Sequence, residues 1–538
     1  MLDETPIAIP DINTLLLKIL FSRGYDSEEK INKFLFPKLE YLVDPYCIDD
    51  MSQAVDLILN TIHNKKKILI YGDYDVDGVT SLVIMYRFLK TIGCREVTYD
   101  VANRFGEGYG VAKKSIIKAI ENNIALIITV DCGIKDFEAI SMAKKNGINV
   151  IVTDHHIVGD VLPEADVIIN PKKNNKDTLC HELSGGGVVF KLLQAICQKM
   201  NICYDENIFI LLALSTACDI VPLINDNRVI ITHGLQQFKE PILYCGVKAL
   251  LEVNNISSAV TMYDLLFKLG PCINSAGRIN TATKAIDLLL SDDENEALSL
   301  AKEIKNLNDY RKELCMNTFT QAKEMIDEKK SVNILYYDTW HRGILGIVAS
   351  RCVEYNNKPT IILTYDKDDI IIGSARSVKG YDLYSALQSC SELLLAFGGH
   401  SMAAGVKVKK NMLEDFKTQL NTVVENNINI SDIYNTTQYD LEINIDDIDM
   451  CFCNTLRLMQ PFGIGNENPI FKSIVSFDTL NETEYNFILT IMCKDKEVKS
   501  MIRKNIIAKI QLHKEYTIYY NIVLKMDNSF YFKVLAVE

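Results

Sequence analysis

Between residues 66 and 170 the chain enters a short β-branched run five times: KILIYG at 67–72, VTYDV at 97–101, IALIITV at 124–130, INVIVT at 148–153 and ADVIIN at 165–170. Helix-forming stretches separate them. Strands that recur at this spacing are joined by crossovers rather than hairpins, and uninterrupted apolar strands need cover on both faces. The rhythm predicts an α/β domain with a parallel, doubly wound sheet. Such a sheet gathers its ligands in the crevice outside the carboxyl ends of its strands.

The rest of the chain requires further domains, because 538 residues at 48% apolar content exceed one hydrophobic core. Residues 187–200 and 207–218 look helical. The stretch 285–329 contains neither Gly nor Pro and suits a long connecting helix. A second α/β unit occupies about 331–425, the Asn-rich 426–438 looks like a linker, and the alternation after 440 predicts a small β-barrel. The expected organisation is a segment 1–45, a first domain 46–240, a helical connection 241–330, a second domain 331–425 and a barrel 440–538. The first ten residues carry two acids and no basic region, and the longest apolar stretch, 208–223, is interrupted by Ser215, Thr216 and Asp219. A soluble cytoplasmic protein without membrane contact is expected. The fifteen cysteines form no CxxC pairs and read as reduced thiols.

Four acidic or histidine motifs stand beside predicted element ends. Asp73, Asp75 and Asp77 follow the first strand in GDYDVDG, Asp131 follows the third in DCG, Asp154-His155-His156 follows the fourth, and Asp219 closes an apolar helix in ACDIVP. Convergent carboxylates repel one another unless cations hold them. Oxygen ligands with one imidazole suit Mn²⁺ or Mg²⁺ better than zinc, and this many acids can hold two ions. An ion pair roughly 3.5–4 Å apart activates water and stabilises in-line displacement at phosphorus. The spacing from Asp73 also matches the opening of an EF-hand loop, but its twelfth position is Ile84 instead of a bidentate Glu. A net charge of −13 argues mildly against nucleic acid, although bound cations and clustered basic groups can offset it.

The motifs GDYDVDGVTS, VDCG, TDHH and ACDIVP resemble those of the DHH phosphoesterase superfamily and, within it, the RecJ family. The resemblance extends through ANRFGEGYG at 102–110, LSGGGVVFKL at 183–192, LGPCINSAGRI at 269–279 and LNDYR at 307–311. It implies that Asp75, Asp77, Asp131, His155 and Asp219 are metal ligands, that Asp131 bridges, and that Asp73 lies at or beside the first ion. His156 then faces the scissile phosphate and stabilises its developing charge.

WHRGILGIVASR at 340–351, GSARS at 373–377 and FGGHSMAAG at 397–405 resemble the DHH-associated domain in its RecJ form, and four of the eight histidines fall inside motifs. Residues 455–471 resemble the junction into the family's OB-fold. The implied substrate-binding residues are Arg104, Asn274, Arg278, Arg342, Arg351, Ser374, Arg376, Gly399 and His400. Glycine-rich turns let backbone N–H groups approach phosphates, and Arg offers bidentate contacts. A cleft between the two domains is expected to hold the 5′ end through Arg104, Ser374, Arg376 and His400. Tyr485, Phe487, Tyr519 and Phe530 are either stacking residues of the barrel or its core.

The resemblance implies a single-stranded-DNA-specific 5′→3′ exonuclease of recombination and repair, with two divalent metals and release of 5′-mononucleotides. A helicase and a single-strand-binding protein are candidate partners, and the chain is expected to act as a monomer. The alternatives are a short-oligonucleotide or cyclic-dinucleotide phosphodiesterase and a non-catalytic replication scaffold, the latter disfavoured because every candidate ligand is present. Cys272 stands where the family usually has Arg. It is either a lost phosphate contact or core packing.

Overall fold

The computed structural model describes residues 13–103, 110–174, 179–257, 259–427, 438–482, 486–493, 496–503, 510–525 and 529–538. The chain divides into two compact units, one of Met1–Gly270, Ile286–Ala297 and Thr437–Glu538, the other of Pro271–Ala285 and Leu298–Thr436.

The first unit contains the predicted parallel sheet. Its strands are β1 (Lys67–Gly72), β2 (Val97–Val101), β3 (Ile124–Val130), β4 (Asn149–Thr153) and β5 (Val167–Ile169), in the order β2-β1-β3-β4-β5. β1, β3 and β4 are buried along nearly their whole length, as central strands covered on both faces must be. The helix Ile208–Cys218 carries apolar residues on every side and is buried throughout. In the helix Gly185–Met200, Lys191 is wholly buried. Its ammonium meets Asp226 at 2.6 Å and the Val43 carbonyl at 2.5 Å.

The same unit carries a C-terminal sheet of seven strands, β11 (Leu441–Glu442), β12 (Phe471–Ser476), β13 (Thr479–Glu482), β14 (Asn486–Cys493), β15 (Lys496–Arg503), β16 (Glu515–Leu524) and β17 (Phe530–Val537). Their order is β11-β12-β16-β17-β15-β14-β13. Its core is shared with the N-terminal helices, since Leu16, Ile19, Leu20, Ile31 and Phe34 pack among Phe452, Phe471, Tyr520 and Phe532. Polar contacts join the same segments. Arg23 pairs with Asp440 at 2.8 Å, and the buried Arg228 lies over the Phe34 ring at 3.8 Å while donating to the Met459 carbonyl at 3.2 Å. Among the aromatic candidates of this sheet, Phe487 and Phe530 pack against the core and Tyr519 is buried. Phe487 and Phe530 therefore face the sheet's interior, whereas Tyr519 lies on the opposite face beside Tyr439, its hydroxyl donating to Glu538 at 3.0 Å. Tyr485 lies outside the described residues.

The second unit has a five-stranded sheet of β6 (Asn333–Tyr336), β7 (Thr360–Tyr365), β8 (Ile370–Arg376), β9 (Leu394–His400) and β10 (Ala403–Lys409), in the order β6-β7-β8-β10-β9. β6 and β7 are parallel and the remaining pairs antiparallel. The helix Leu345–Asn356 packs on β7 and β8. The expected long helix spans Glu294–Glu324. No helix among the described residues is long and apolar enough to cross a membrane.

Candidate metal centre

The carboxyl ends of β1, β3 and β4 bring the acidic motifs together. Asp73 follows β1, and Asp75 caps the next helix, Val76–Thr91, by accepting from the Gly78 N–H at 3.2 Å. Asp77 lies in the first turn of that helix. Its two oxygens accept from the Gly185 N–H at 2.6 Å, the Gly186 N–H at 2.9 Å and the Ser215 hydroxyl at 2.5 Å. The amides of Gly185 and Gly186 open a helix, so its positive end faces the carboxylate. A side chain at 185 is excluded, because a Cβ there would meet the Cβ of Asp131 at 2.6 Å. Asp131 itself has φ of 58°, a left-handed conformation uncommon outside Gly, and its N–H bonds to the Thr153 carbonyl on β4 at 3.0 Å.

Three overlapping donor sets result: Asp73, Asp75 and Asp131; Asp77, His155 and Asp219; and Asp131, His155 and His156. In each set the donor atoms lie within 4.8 Å of one another. His155 Nε2 is 3.1 Å from Asp131, 3.5 Å from Asp219 and 3.8 Å from Asp77. Both its ring nitrogens, and Oδ2 of Asp219, are buried without a hydrogen-bond partner. Burial first, and then the neighbouring acids, push the carboxyls of Asp131 and Asp219 well above the ordinary range, and Asp75 shifts the same way. Burial lowers His155, which favours the neutral imidazole that a metal requires. Oxygen-rich donors with one imidazole and this mutual repulsion fit hard divalent cations such as Mg²⁺ or Mn²⁺.

His156 is oriented differently. Burial lowers its pKa, but the hydrogen bond and charge of Asp154 outweigh that and hold it above the usual range, with Nδ1 at 2.8 Å from Asp154. Asp154 also accepts from the N–H groups of His155, His156 and Ile134 at 2.7, 3.1 and 2.9 Å. Sequence reasoning placed Asp154 in the motif without assigning it a role. Its function as the anchor of both histidines emerges only from the geometry.

In the second unit the register sets Arg376 opposite Ala403, and Ala403 opposite His400, so the three lie abreast across β8, β10 and β9. One step along, Ser374 stands opposite Gly405, which stands opposite Gly398. The small residues leave a low floor between Arg376, Ser374 and the exposed His400. Gly399 has φ of 141°, and a Cβ there would meet the Ala403 carbonyl at 2.3 Å. Arg376 donates to the Ser374 hydroxyl at 3.1 Å, and Gly346 makes room for its guanidinium. Arg342 pairs with Asp366 at 3.2 Å, while Arg278 reaches the Gly343 carbonyl at 3.5 Å. Asn274 and Arg351 are half-buried, on the helices Gly270–Ile279 and Leu345–Asn356. Arg104 lies outside the described residues.

Of the two readings of Cys272, its burial favours core packing. The residue is wholly buried, with Asn308 Nδ2 3.3 Å from its sulfur. Asn308 in turn accepts from Arg311 at 3.1 and 2.9 Å. Position 272 is core.

Residues 67–216 match the DHH family N-terminal domain, and residues 329–426 match the DHHA1 domain. The single-stranded-DNA-specific exonuclease RecJ of Dickeya dadantii is 32% identical over 491 residues, covering 87% of this chain and 84% of the relative. The chain belongs to the RecJ family. The RecJ of Bacillus subtilis is 34% identical over 463 residues, and the chain spans only 58% of that relative's length. Among solved structures, Thermus thermophilus RecJ in complex with Mn²⁺ superposes with a TM-score of 0.84 at 25% identity, covering 98% of this chain and 76% of that one. Another RecJ structure bound to manganese covers 72% of this chain at 29% identity with a TM-score of 0.64.

Proposed function

We propose that the chain is a metal-dependent 5′→3′ exonuclease specific for single-stranded DNA, releasing 5′-mononucleotides in recombination and repair. The observation that carries this reading is the overlap of three donor sets on Asp131 and His155 in a RecJ-family chain. Asp73, Asp75 and Asp131 would hold one divalent ion and Asp77, His155 and Asp219 the other, with Asp131 common to both. Two such ions supply an activated water and positive charge at the scissile phosphate. Asp77 is held in place by Gly185, Gly186 and Ser215. His156, oriented by Asp154 and held above its usual range by that charge, stabilises charge on the phosphoryl oxygens. Ser374, Arg376 and His400 bind the backbone of the strand over their glycine floor, with Gly399 shaping the turn. Arg104, Asn274, Arg278, Arg342 and Arg351 add to that surface.

The domain order proposed is a first domain 46–240, a helical connection 241–330, a second domain 331–425 and an OB-fold at 440–538. Fourteen free cysteines among the described residues suit a reducing cytoplasm. A monomer working with a helicase and a single-strand-binding protein completes the reading. Digestion of 5′- and 3′-labelled single-stranded and duplex DNA with Mn²⁺, Mg²⁺ or EDTA tests it. Metal-dependent loss of the 5′ label from single strands alone is expected. Equal digestion from both ends, activity in EDTA, or no digestion of single strands would overturn it.

A further inference from the structure

Outside the metal centre, one pair of described thiols lies in direct contact. Cys47 Sγ is 3.2 Å from Cys180 Sγ across 133 residues of sequence. Cys47 ends the short turn Pro45–Cys47 and is half-buried, whereas Cys180 is fully buried. We propose that Cys47 and Cys180 form a peroxide-driven reversible disulfide, with Cys47 the attacking thiol and Cys180 the resolving one.

Geometry and access assign the roles. A disulfide requires about 2 Å between sulfurs, so closing the bond needs a shift of only about 1 Å. Only Cys47 has solvent access. The hydrogen bond shared with Cys180 and, more weakly, the Lys191 ammonium hold the Cys47 thiol below its usual range against the effect of burial. The same hydrogen bond and burial raise Cys180. The more exposed thiol is the one a peroxide can reach, which makes Cys47 the attacking group and leaves the buried Cys180 to resolve it.

The chemistry balances in two steps. The Cys47 thiolate attacks one peroxide oxygen; the S–O bond forms, the O–O bond breaks and hydroxide leaves. The Cys180 sulfur then attacks the sulfenic sulfur; the S–S bond forms, the S–O bond breaks, and the departing hydroxide takes the Cys180 proton as water. Two thiols are oxidised by two electrons and one peroxide is reduced to two waters. The new bond would tether the segment before the helix Met51–His63 to Cys180, four residues ahead of Ser184. Ser184 caps the helix whose first amides hold Asp77.

The full-length protein, reduced and then treated with hydrogen peroxide, is alkylated under denaturing conditions and mapped by mass spectrometry. A Cys47–Cys180 linked peptide is expected, lighter than its reduced parts by two hydrogens and reversed by dithiothreitol. Its formation should raise the melting temperature by several degrees, since a cross-link over 133 residues constrains the unfolded chain. In Cys180→Ser, Cys47 should accumulate as a sulfenic acid trapped by a cyclic 1,3-dione. In Cys47→Ser, Cys180 should give no adduct and the melting temperature should not respond to peroxide. Should Cys180→Ser fail to fold, the parent map and Cys47→Ser decide. Full alkylation of both cysteines after peroxide has oxidised the exposed Cys203, or linkage of either to another cysteine, would overturn the proposal.

Discussion

The carboxylate end of the first sheet and the Ser374–His400 face of the second are built on opposite plans. In the first, the groups are buried or half-buried and several are held by a neighbour: Asp77 by two helix amides, Asp131 by a left-handed backbone, and the His155 and His156 backbone by Asp154. In the second, half-exposed Ser374 and Arg376 and exposed His400 stand over a floor cleared by Gly398, Ala403 and Gly405. Chemistry at phosphorus needs fixed charge in a dry site, so the first region stores repulsion that bound cations relieve. Holding a mobile backbone needs open space and a few well-placed donors.

Asp131 gives the largest test of this contrast. Asp131→Asn should lower metal-dependent digestion at least about a hundred- to a thousand-fold, the scale of losing one preorganised electrostatic group. Calorimetry should show lost Mn²⁺ binding. Stability should move the other way. A carboxyl raised above its unfolded value of about 4 keeps its proton longer in the folded chain, so metal-free protein loses stability as pH rises from there. In EDTA, Asp131→Asn should therefore melt above the parent at neutral pH, and the gap should close as pH falls below about 4. A variant that melts lower at neutral pH would show that the acids are not repelling one another.

Glycine substitutions compare the two regions directly. Gly185→Ala puts a Cβ 2.6 Å from that of Asp131, whereas Gly398→Ala meets nothing within 4 Å. The first should cost about 1–3 kcal/mol of stability, as overpacking does, together with most of the Mn²⁺ affinity. The second should leave folding and metal binding unchanged. Equal melting of the two variants would erase the distinction.

Arg376→Ala should act only on the strand. One charge-assisted phosphate contact contributes about 1.5–3 kcal/mol, so KM for single-stranded DNA should rise roughly ten-fold or more. Metal affinity and turnover of a small phosphodiester reporter should hold. A matching loss on the reporter would place Arg376 in the chemistry instead.

These differences also explain what could be read from sequence. Buried parallel strands appear as unbroken apolar runs, so β1, β3 and β4 fall within a residue of their expected bounds and carry the acids with them. The pairing of Arg23 with Asp440 crosses 417 positions and leaves no local pattern, so residues 1–45 read as a separate segment although its helices between 14 and 35 complete the C-terminal core. Asp154 went unassigned because its role is orientation, which depends on three N–H groups and a ring nitrogen converging on one carboxylate. Phe487 and Phe530 show the same limit in reverse, since alternation marks a strand without saying which face is wet.

Cys272 sharpens the contrast last and least. A neutral thiol where the family usually has Arg reads in sequence as a missing phosphate contact, but the side chain is wholly buried beside Asn308, which holds Arg311. Cys272→Ala should therefore cost only about 1 kcal/mol, a typical figure for a point substitution, and leave strand binding unchanged. Cys272→Arg should cost more, on the order of 3–5 kcal/mol, because a guanidinium there is an uncompensated buried charge. Thermal melts check both. If 272 instead reached the strand, Cys272→Arg would melt like the parent and steepen the salt dependence of single-strand binding by about 0.7, the contribution of one neutralised phosphate. That pair of results would move the helix Gly270–Ile279 from the interior plan of this molecule to its open one.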